Sequence, residues 1–471
     1  MIRNPITLAL AINFSRQVGQ AFSLPVHKTI ILACTLAVAA HAQDTRNVTE
    51  PVIPKSCAAI VAKLAGIDES KPDTLRIQEA LDHCPAGQAV ELKPEGAASA
   101  FLAGPLELRA GVTLLVDAGA TLFASRNPRD YDVTPGACGI VNERGRGCKP
   151  LIAADHVAGA GVMGDGVIDG RGPAKLLGQD VSWWDLAQEA KVKNANQNCP
   201  RIIVANKADN FTLYRITLKN SPNFHVAYSG GNGFTAWGVI IDTPKAGRNT
   251  DGIDPGNATN VTITHCYIRA GDDNVAIKAG QPGPTSHITI AHNHFYYGHG
   301  VSIGSETDGG ASAIRVTDLS IDGADNGIRI KSNSSRGGLV HDVVYEDVCI
   351  RDTRNPIMMD SNYSFYGAAR DKLPTFNDIV LRNVRVFGPG TITLDGYDEE
   401  HRLGISFDNV TLSDPAAVKM SAGHADVKIG PGAVNFHPAG ADVQVAGQAG
   451  RSAPNACEAK FVPMPSRAAR R

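Results

Sequence analysis

Aromatic side chains are scarce, at 6% of 471 residues, and an excess of charge of one sign is missing: 45 Lys and Arg stand against 47 Asp and Glu. The net charge of -2 excludes capture of nucleic acid or an anionic membrane surface by bulk electrostatics. A polyanionic ligand would need locally placed Lys and Arg. No apolar run reaches the roughly 20 residues of a membrane-crossing helix. Cysteine pairs of C-x-x-C spacing and Cys/His clusters are absent too, so no structural zinc is expected. What abounds is punctuation. The 48 glycines and 27 prolines indicate many turns between short strands, and 43% hydrophobic residues provide a large core.

The start of the chain reads as an export signal. "VHKTIILACTLAVAAHAQ" has a basic residue at Lys28, an apolar run over 29–40 and an A-x-A site at Ala40-His41-Ala42. Cleavage before Gln43 makes 1–42 a signal peptide and 43–471 a single domain, in an extracellular or periplasmic protein. The long stretch ahead of Lys28 suggests translation from Val26, and Cys34 as a lipid-modified cysteine is a competing reading. Without Cys34 eight cysteines remain, an even number suited to an oxidising compartment. Cys138 and Cys148 suit a local disulfide, and Cys57 and Cys84 bracket a helix and could pair. Cys266 and Cys349, inside strand-like runs, read as buried thiols.

One helix is legible, "DTLRIQEALDHC" over 73–84, with Ile77, Ala80, Leu81 and Cys84 at i, i+3, i+4 and i+7 and Asp73 or Thr74 as N-cap. Elsewhere short alternating segments end in Gly, Asn, Asp or Pro. Between 260 and 412 they repeat. "NVTITHCYIRAGDDNVAIK", "HITIAHNHFYYGHGVSIG" and "AIRVTDLSIDGADNGIRIK" align Val275, Val301 and Ile328, which lie 26 and 27 residues apart. Degenerate strand repeats without intervening helices indicate a solenoid. The expected fold is all-β: a single-stranded right-handed parallel β-helix, its active coils over 200–412. A β-propeller is the rival architecture. The helix at 73–84 then caps the open end, covering apolar core and unpaired strand edges.

The repeat register brings chemistry together. Asp251, Asp273, His299 and Asn326 each lie two residues before an inward aliphatic residue: Ile253, Val275, Val301 and Ile328. Equivalent positions on successive coils lie about 4.8 Å apart. Asp251, Asp273 and His299 should therefore form a ladder, with Asp272 beside it. Arg329 and Lys331 share one outward face of the next coil, because strand side chains alternate. Asn and Asp ladders also stabilise solenoid turns, which accounts for Asn326 but not for three clustered carboxylates beside two cations. Crowded carboxylates push one proton affinity up, as a glycosidase needs: one protonated carboxyl for the leaving oxygen, one carboxylate for water.

"NTDGIDP", "GDDN", "GHGVSIGSE" and "RIK" resemble, in order and spacing, the motifs of glycoside hydrolase family 28, the polygalacturonases. The likeness covers most of the chain after the leader, including "DTLRIQEALDHC" and "NPIMMDSNYS". It implies a secreted β-helix enzyme cleaving α-1,4 links of de-esterified pectin with inversion. Asp272 matches the general acid, Asp251 and Asp273 the pair that positions and deprotonates water, and His299 the histidine beside the acid. Arg329 and Lys331 match the carboxylate-binding pair. Tyr363, in "MDSNYS", and Asn249, heading the first motif, fall at the substrate-binding site. Asn274 departs from the cysteine of many members. Neither metal nor cofactor is implied, and the expected partner is polygalacturonate, met by a monomer with no nucleic acid or membrane involved.

Alternatives remain at this level. A pectate-type lyase would use the acids as calcium ligands, a non-catalytic solenoid would only bind carbohydrate, and a rhamnogalacturonan or xylogalacturonan hydrolase would share the fold. Endo action is favoured over exo for want of any appended domain. Trp183 and Trp184, in the 172–199 loop, would either stack on sugar or anchor that loop.

Overall fold

The computed structural model describes residues 43–281, 283–364, 371–454 and 457–465. The expected signal peptide, with Val26 and Cys34, lies outside them. Strands pair in parallel with their equivalents one coil away, throughout the large sheet. That pattern overturns the propeller alternative, whose blades need antiparallel hairpins. Crossovers between parallel strands are right-handed in nearly every protein, and the coils form a right-handed parallel β-helix.

The core is built by stacking like on like. Leu106, Ile152, Ile203, Val226, Ile253, Val275, Val301, Ile328, Ile357 and Ile392 form one inward column in unbroken register. Every one of them is fully buried. The alignment of Val275, Val301 and Ile328 read from the repeats is the observed register. A second column, Leu213, Ala236, Ile263, Ile290 and Val316, fills another wall. The coil turns between walls at left-handed residues. His265, His292, Asp318, Asp347, Asn383 and Asn409 occupy one seam, with φ between 50° and 57°. Asn, Asp and His tolerate this region better than other side-chain-bearing residues, so much of the Asn/Asp ladder is structural.

Helix α1 spans Thr74–His83. It buries Ile77 and Leu81 in the continuous core, as a cap must. Asp73 takes the N-cap position without a side-chain bond to a backbone N–H of the helix. Its carboxylate accepts from the Leu102 N–H at 3.0 Å and from Arg76 at 2.7 Å instead, tying the cap to the first coils.

Two expectations are corrected. The 172–199 loop contains a second helix, α2 (Trp183–Val192), opened by a Ser182–Asp185 capping box and burying Trp183, Leu186, Ala187 and Ala190. Those positions follow i, i+3, i+4 and i+7, a stripe present in the sequence but broken up there by a Gly- and Asn-rich context. Cys349 is not a free thiol. It bonds to Cys457, 108 residues away, whereas Cys57–Cys84 and Cys138–Cys148 pair as expected. Cys199 is a buried free thiol, and Cys266 is buried in the core.

Candidate active site

Five consecutive coils present one outward face: β1 (Ile253–Gly256), β2 (Val275–Ile277), β3 (Val301–Ile303), β4 (Asn326–Lys331) and β5 (Asn355–Asp360). The turns leading into β1, β2 and β3 carry Asp251, the Asp272–Asp273 pair and His299. Asn249 has φ 55° in the first of these turns, a conformation that suits Asn and helps aim Asp251. Asn274, the departure from the family pattern, is fully buried and braces the second turn. It donates to the Ile268 carbonyl at 2.9 Å and accepts from the Gly300 N–H at 2.8 Å. This is work that a polar side chain does without touching the acids' carboxyls.

The carboxylates differ sharply in surroundings. Asp273 is 1% exposed, and each of its oxygens accepts a hydrogen bond. One accepts from the Ser302 hydroxyl at 2.9 Å and from the Arg329 guanidinium, the other from Lys331 at 3.0 Å. Burial would raise its proton affinity, but Arg329, Lys331 and Lys278 together hold it far below the ordinary carboxylate range. Asp272 accepts from its neighbour's backbone N–H at 2.9 Å and lies 3.0 Å from His299 Nδ1. Burial opposes its ionisation and Asp273 repels it, yet the His299 bond and the Lys331 charge bring its proton affinity below the usual value.

Asp251 is the opposite case. Burial, then repulsion from Asp254, Asp272 and Asp273, raises its proton affinity well above normal. Asp254, also buried, has its pKa raised to about 7, chiefly by burial. Burial among like charges therefore favours the protonated form at Asp251 and Asp254, and the neighbouring cations favour the ionised form of Asp272 and Asp273.

Asp254 yields a prediction. Its folded-state pKa of about 7 exceeds the ordinary 3.8, so between these values the unfolded chain releases this proton while the folded chain keeps it. Native stability must then fall as pH rises through that window. Asp254→Asn removes the penalty, so the variant should gain on the parent protein between pH 4 and pH 7. Urea denaturation at both ends of the range checks this; a difference independent of pH refutes it.

Arg329 and Lys331 leave the coil on the outward side, as their alternation with Ile328 and Ile330 requires, but they are 4% and 5% exposed. They are buried against Asp273 rather than standing in open solvent. Tyr363 stacks beside them, its ring centroid 5.3 Å from Lys331 Nζ. Trp183 and Trp184 are anchors. Trp183 is fully buried edge-on to Tyr131, and Trp184 Nε1 donates to the Ser221 carbonyl at 2.9 Å.

Sequence reasoning missed Asp254, Lys278 and Ser302. The signal was the alternation already used for Arg329: each follows an inward residue by one position and so faces outward. Asp272, Asp273 and His299 place ligand atoms within 4.8 Å of one another. A cation there would compete with Arg329 and Lys331 for Asp273.

Residues 99–428 match the model of glycosyl hydrolases family 28. The chain belongs to this family. Among its relatives in family 28, it is 44% identical to an endo-polygalacturonase of Pectobacterium carotovorum subsp. carotovorum, over 80% of this chain and 92% of that one. It is 40% identical to a polygalacturonase of Ralstonia nicotianae, over 93% and 97% of the two chains. The solved polygalacturonase from Erwinia carotovora ssp. carotovora matches with a TM-score of 0.73 at 40% identity, covering 88% of this chain and 99% of that one. The chain is thus a glycoside hydrolase.

Proposed function

We propose that the protein is a secreted polygalacturonase that hydrolyses α-1,4-galacturonosidic bonds of de-esterified pectin. The observation that carries this reading is the joining of three carboxylates with His299 beside fixed cations at Arg329 and Lys331. A chain of uronates needs the cations for its own carboxylates, and hydrolysis needs an acid and a base. The relatives named polygalacturonase support the same substrate. Three disulfides support an oxidising compartment, and no helix among the described residues is long and apolar enough to cross a membrane.

Asp272 is the general acid, which donates its proton to the glycosidic oxygen as the bond to the anomeric carbon breaks. Asp251 accepts the proton of the water that attacks that carbon, and Asp273 holds the same water. In the free protein the surroundings favour protonation of Asp251 over Asp272. Binding corrects this: a uronate brought against Asp272 adds negative charge beside it and raises its proton affinity. Arg329, Lys331, Tyr363 and Asn249 hold the substrate, without metal or cofactor in any step.

Asp251 and Asp272 come from adjacent coils, which leaves room for water between base and sugar and points to inversion. Endo action is favoured by the relatives named endo-polygalacturonase. Digestion of polygalacturonate should release a spread of oligomers early, whereas galacturonate or a dimer alone at the outset defeats endo action. Proton NMR before mutarotation should show the β-anomer at new reducing ends; an initial α-anomer defeats inversion. An unsaturated uronide product would overturn hydrolysis itself.

A second reading exchanges Asp251 and Asp272, and the raised proton affinity of Asp251 favours it. Both assignments use the same residues and differ in which carboxyl protonates the leaving oxygen.

A further inference from the structure

Lys278 has no part in the reaction as described, yet it stands in the site. It follows β2 directly, one position beyond the inward Ile277, and so emerges on the outer face. In register, the column through it is Gly256, Lys278, Gly304, Lys331 and Asp360. Both neighbours of Lys278 in that column are glycines, so no side chain stands beside its stem. A Cβ on Gly304 would meet the Lys331 carbonyl oxygen at 2.0 Å, and one on Gly256 would meet Lys278 Cβ at 3.2 Å. The backbone there is packed too closely for a side chain, and the two lysines flank the gap.

The charge around Lys278 is not balanced. An ammonium has three donors. Among the described residues, Nζ makes one hydrogen bond, to the Gly304 carbonyl at 3.2 Å, and lies 3.7 Å from Glu306. Glu306 is also bound by Arg336 at 2.7 Å, so it neutralises one of its two cations. Asp273 is already engaged by Arg329 and Lys331. Asp251 and Asp254, the other acids near Lys278, have raised proton affinities and so are weak counter-ions below neutrality. Burial favours a neutral amine, but the acids around it, Glu306 foremost, keep Lys278 charged. Its side chain is 24% exposed. It is a reachable cation with donor capacity to spare. Asp254, whose two buried oxygens have no hydrogen-bond partner, lies within its electrostatic reach.

We propose that Lys278 is a second carboxylate-binding cation, holding a uronate on the opposite side of the cleavage point from the one held by Arg329 and Lys331. Lys278 and Lys331 lie two strand steps apart in one column, roughly 9–10 Å, with the acids between and beside them. Arg329 and Lys331 share their charge with Asp273; Lys278 has more of its charge left for substrate. A polymer with a charged group on each side of the scissile bond is thereby selected over one neutralised by esterification. This rests on the polygalacturonate reading above.

The test uses the full chain without its leader, with Lys278→Met and Lys278→Arg variants, assayed on polygalacturonate and on highly methyl-esterified pectin. The parent protein is assayed first on polygalacturonate; failure to release reducing ends would reject the substrate reading itself and this inference with it. With the parent active, Lys278→Met should lose about 10–100-fold in kcat/KM on polygalacturonate, the worth of one charge-assisted contact. It should lose far less on the esterified polymer, with Tm nearly unchanged. Lys278→Arg should recover most of the loss. Equal losses on both polymers would overturn the proposal. So would a fall in Tm with normal turnover by the folded fraction, which would make Lys278 a brace for Glu306.

Discussion

Asp272→Asn is expected to lower kcat on polygalacturonate by roughly 10²–10⁴-fold, the usual contribution of a general acid. The fold should barely notice. The Asp272 side chain is 22% exposed, and its local bonds are to His299 and to the backbone N–H of Asp273. Asn keeps the shape and an acceptor oxygen, so Tm and KM should stay close to those of the parent. A variant with more than about a tenth of parental turnover contradicts the role. The same variant separates the two acid/base assignments. On an aryl α-galacturonide with an acidic phenol, the leaving oxygen needs little protonation, so loss of the acid should matter much less. If Asp272 were the base, the deficit would persist, and added azide would restore turnover with a glycosyl azide as product. Asp251→Asn should show the complementary pattern, with azide rescue and no benefit from a better leaving group.

Arg329→Ala should damage fold and catalysis together. From alternation alone the guanidinium would face the substrate, and its loss would hurt binding more than the fold. In the structure it is 4% exposed and bonds both Asp273 and Ser302, the latter through Nε at 2.9 Å. Removing one partner of a buried ion pair leaves a charge without its compensation, at a cost of about 3–5 kcal/mol. Lys331 remains 3.0 Å from the other oxygen of Asp273, which places the expected loss toward the lower end. Urea denaturation should show that loss, and kcat/KM should fall further than destabilisation explains. Asp273→Asn added to Arg329→Ala should return much of the stability and none of the activity. A single variant as stable as its parent would mean that Asp273 does not depend on Arg329.

Periodicity, and everything that depends on it, is legible in the sequence. Repeats 26 and 27 residues apart set Val275, Val301 and Ile328 in register, and offsets of two then placed Asp251, Asp273 and His299 in a single column. A parallel β-helix translates sequence spacing almost directly into position, because each coil is one strand step from the next. The α1 cap was legible for a similar reason, since one amphipathic stripe defines it. Features that depend on distant segments or on loss of water emerge only once the chain is folded. Cys457 is 108 residues from Cys349, and no local pattern links them. The turn-helix-turn over 172–199 packs Trp183 and Trp184 inward because the coils beneath offer a buried face, not because the residues differ from sugar-stacking tryptophans. Arg329 and Lys331 were outward by alternation, but their engagement by Asp273 follows from side-chain reach across two coils. The contrast in proton affinity was equally hidden: Asp251 and Asp273 are the same residue type at equivalent repeat positions. Burial among like charges raises the proton affinity of one, and burial against Arg329 and Lys331 lowers that of the other.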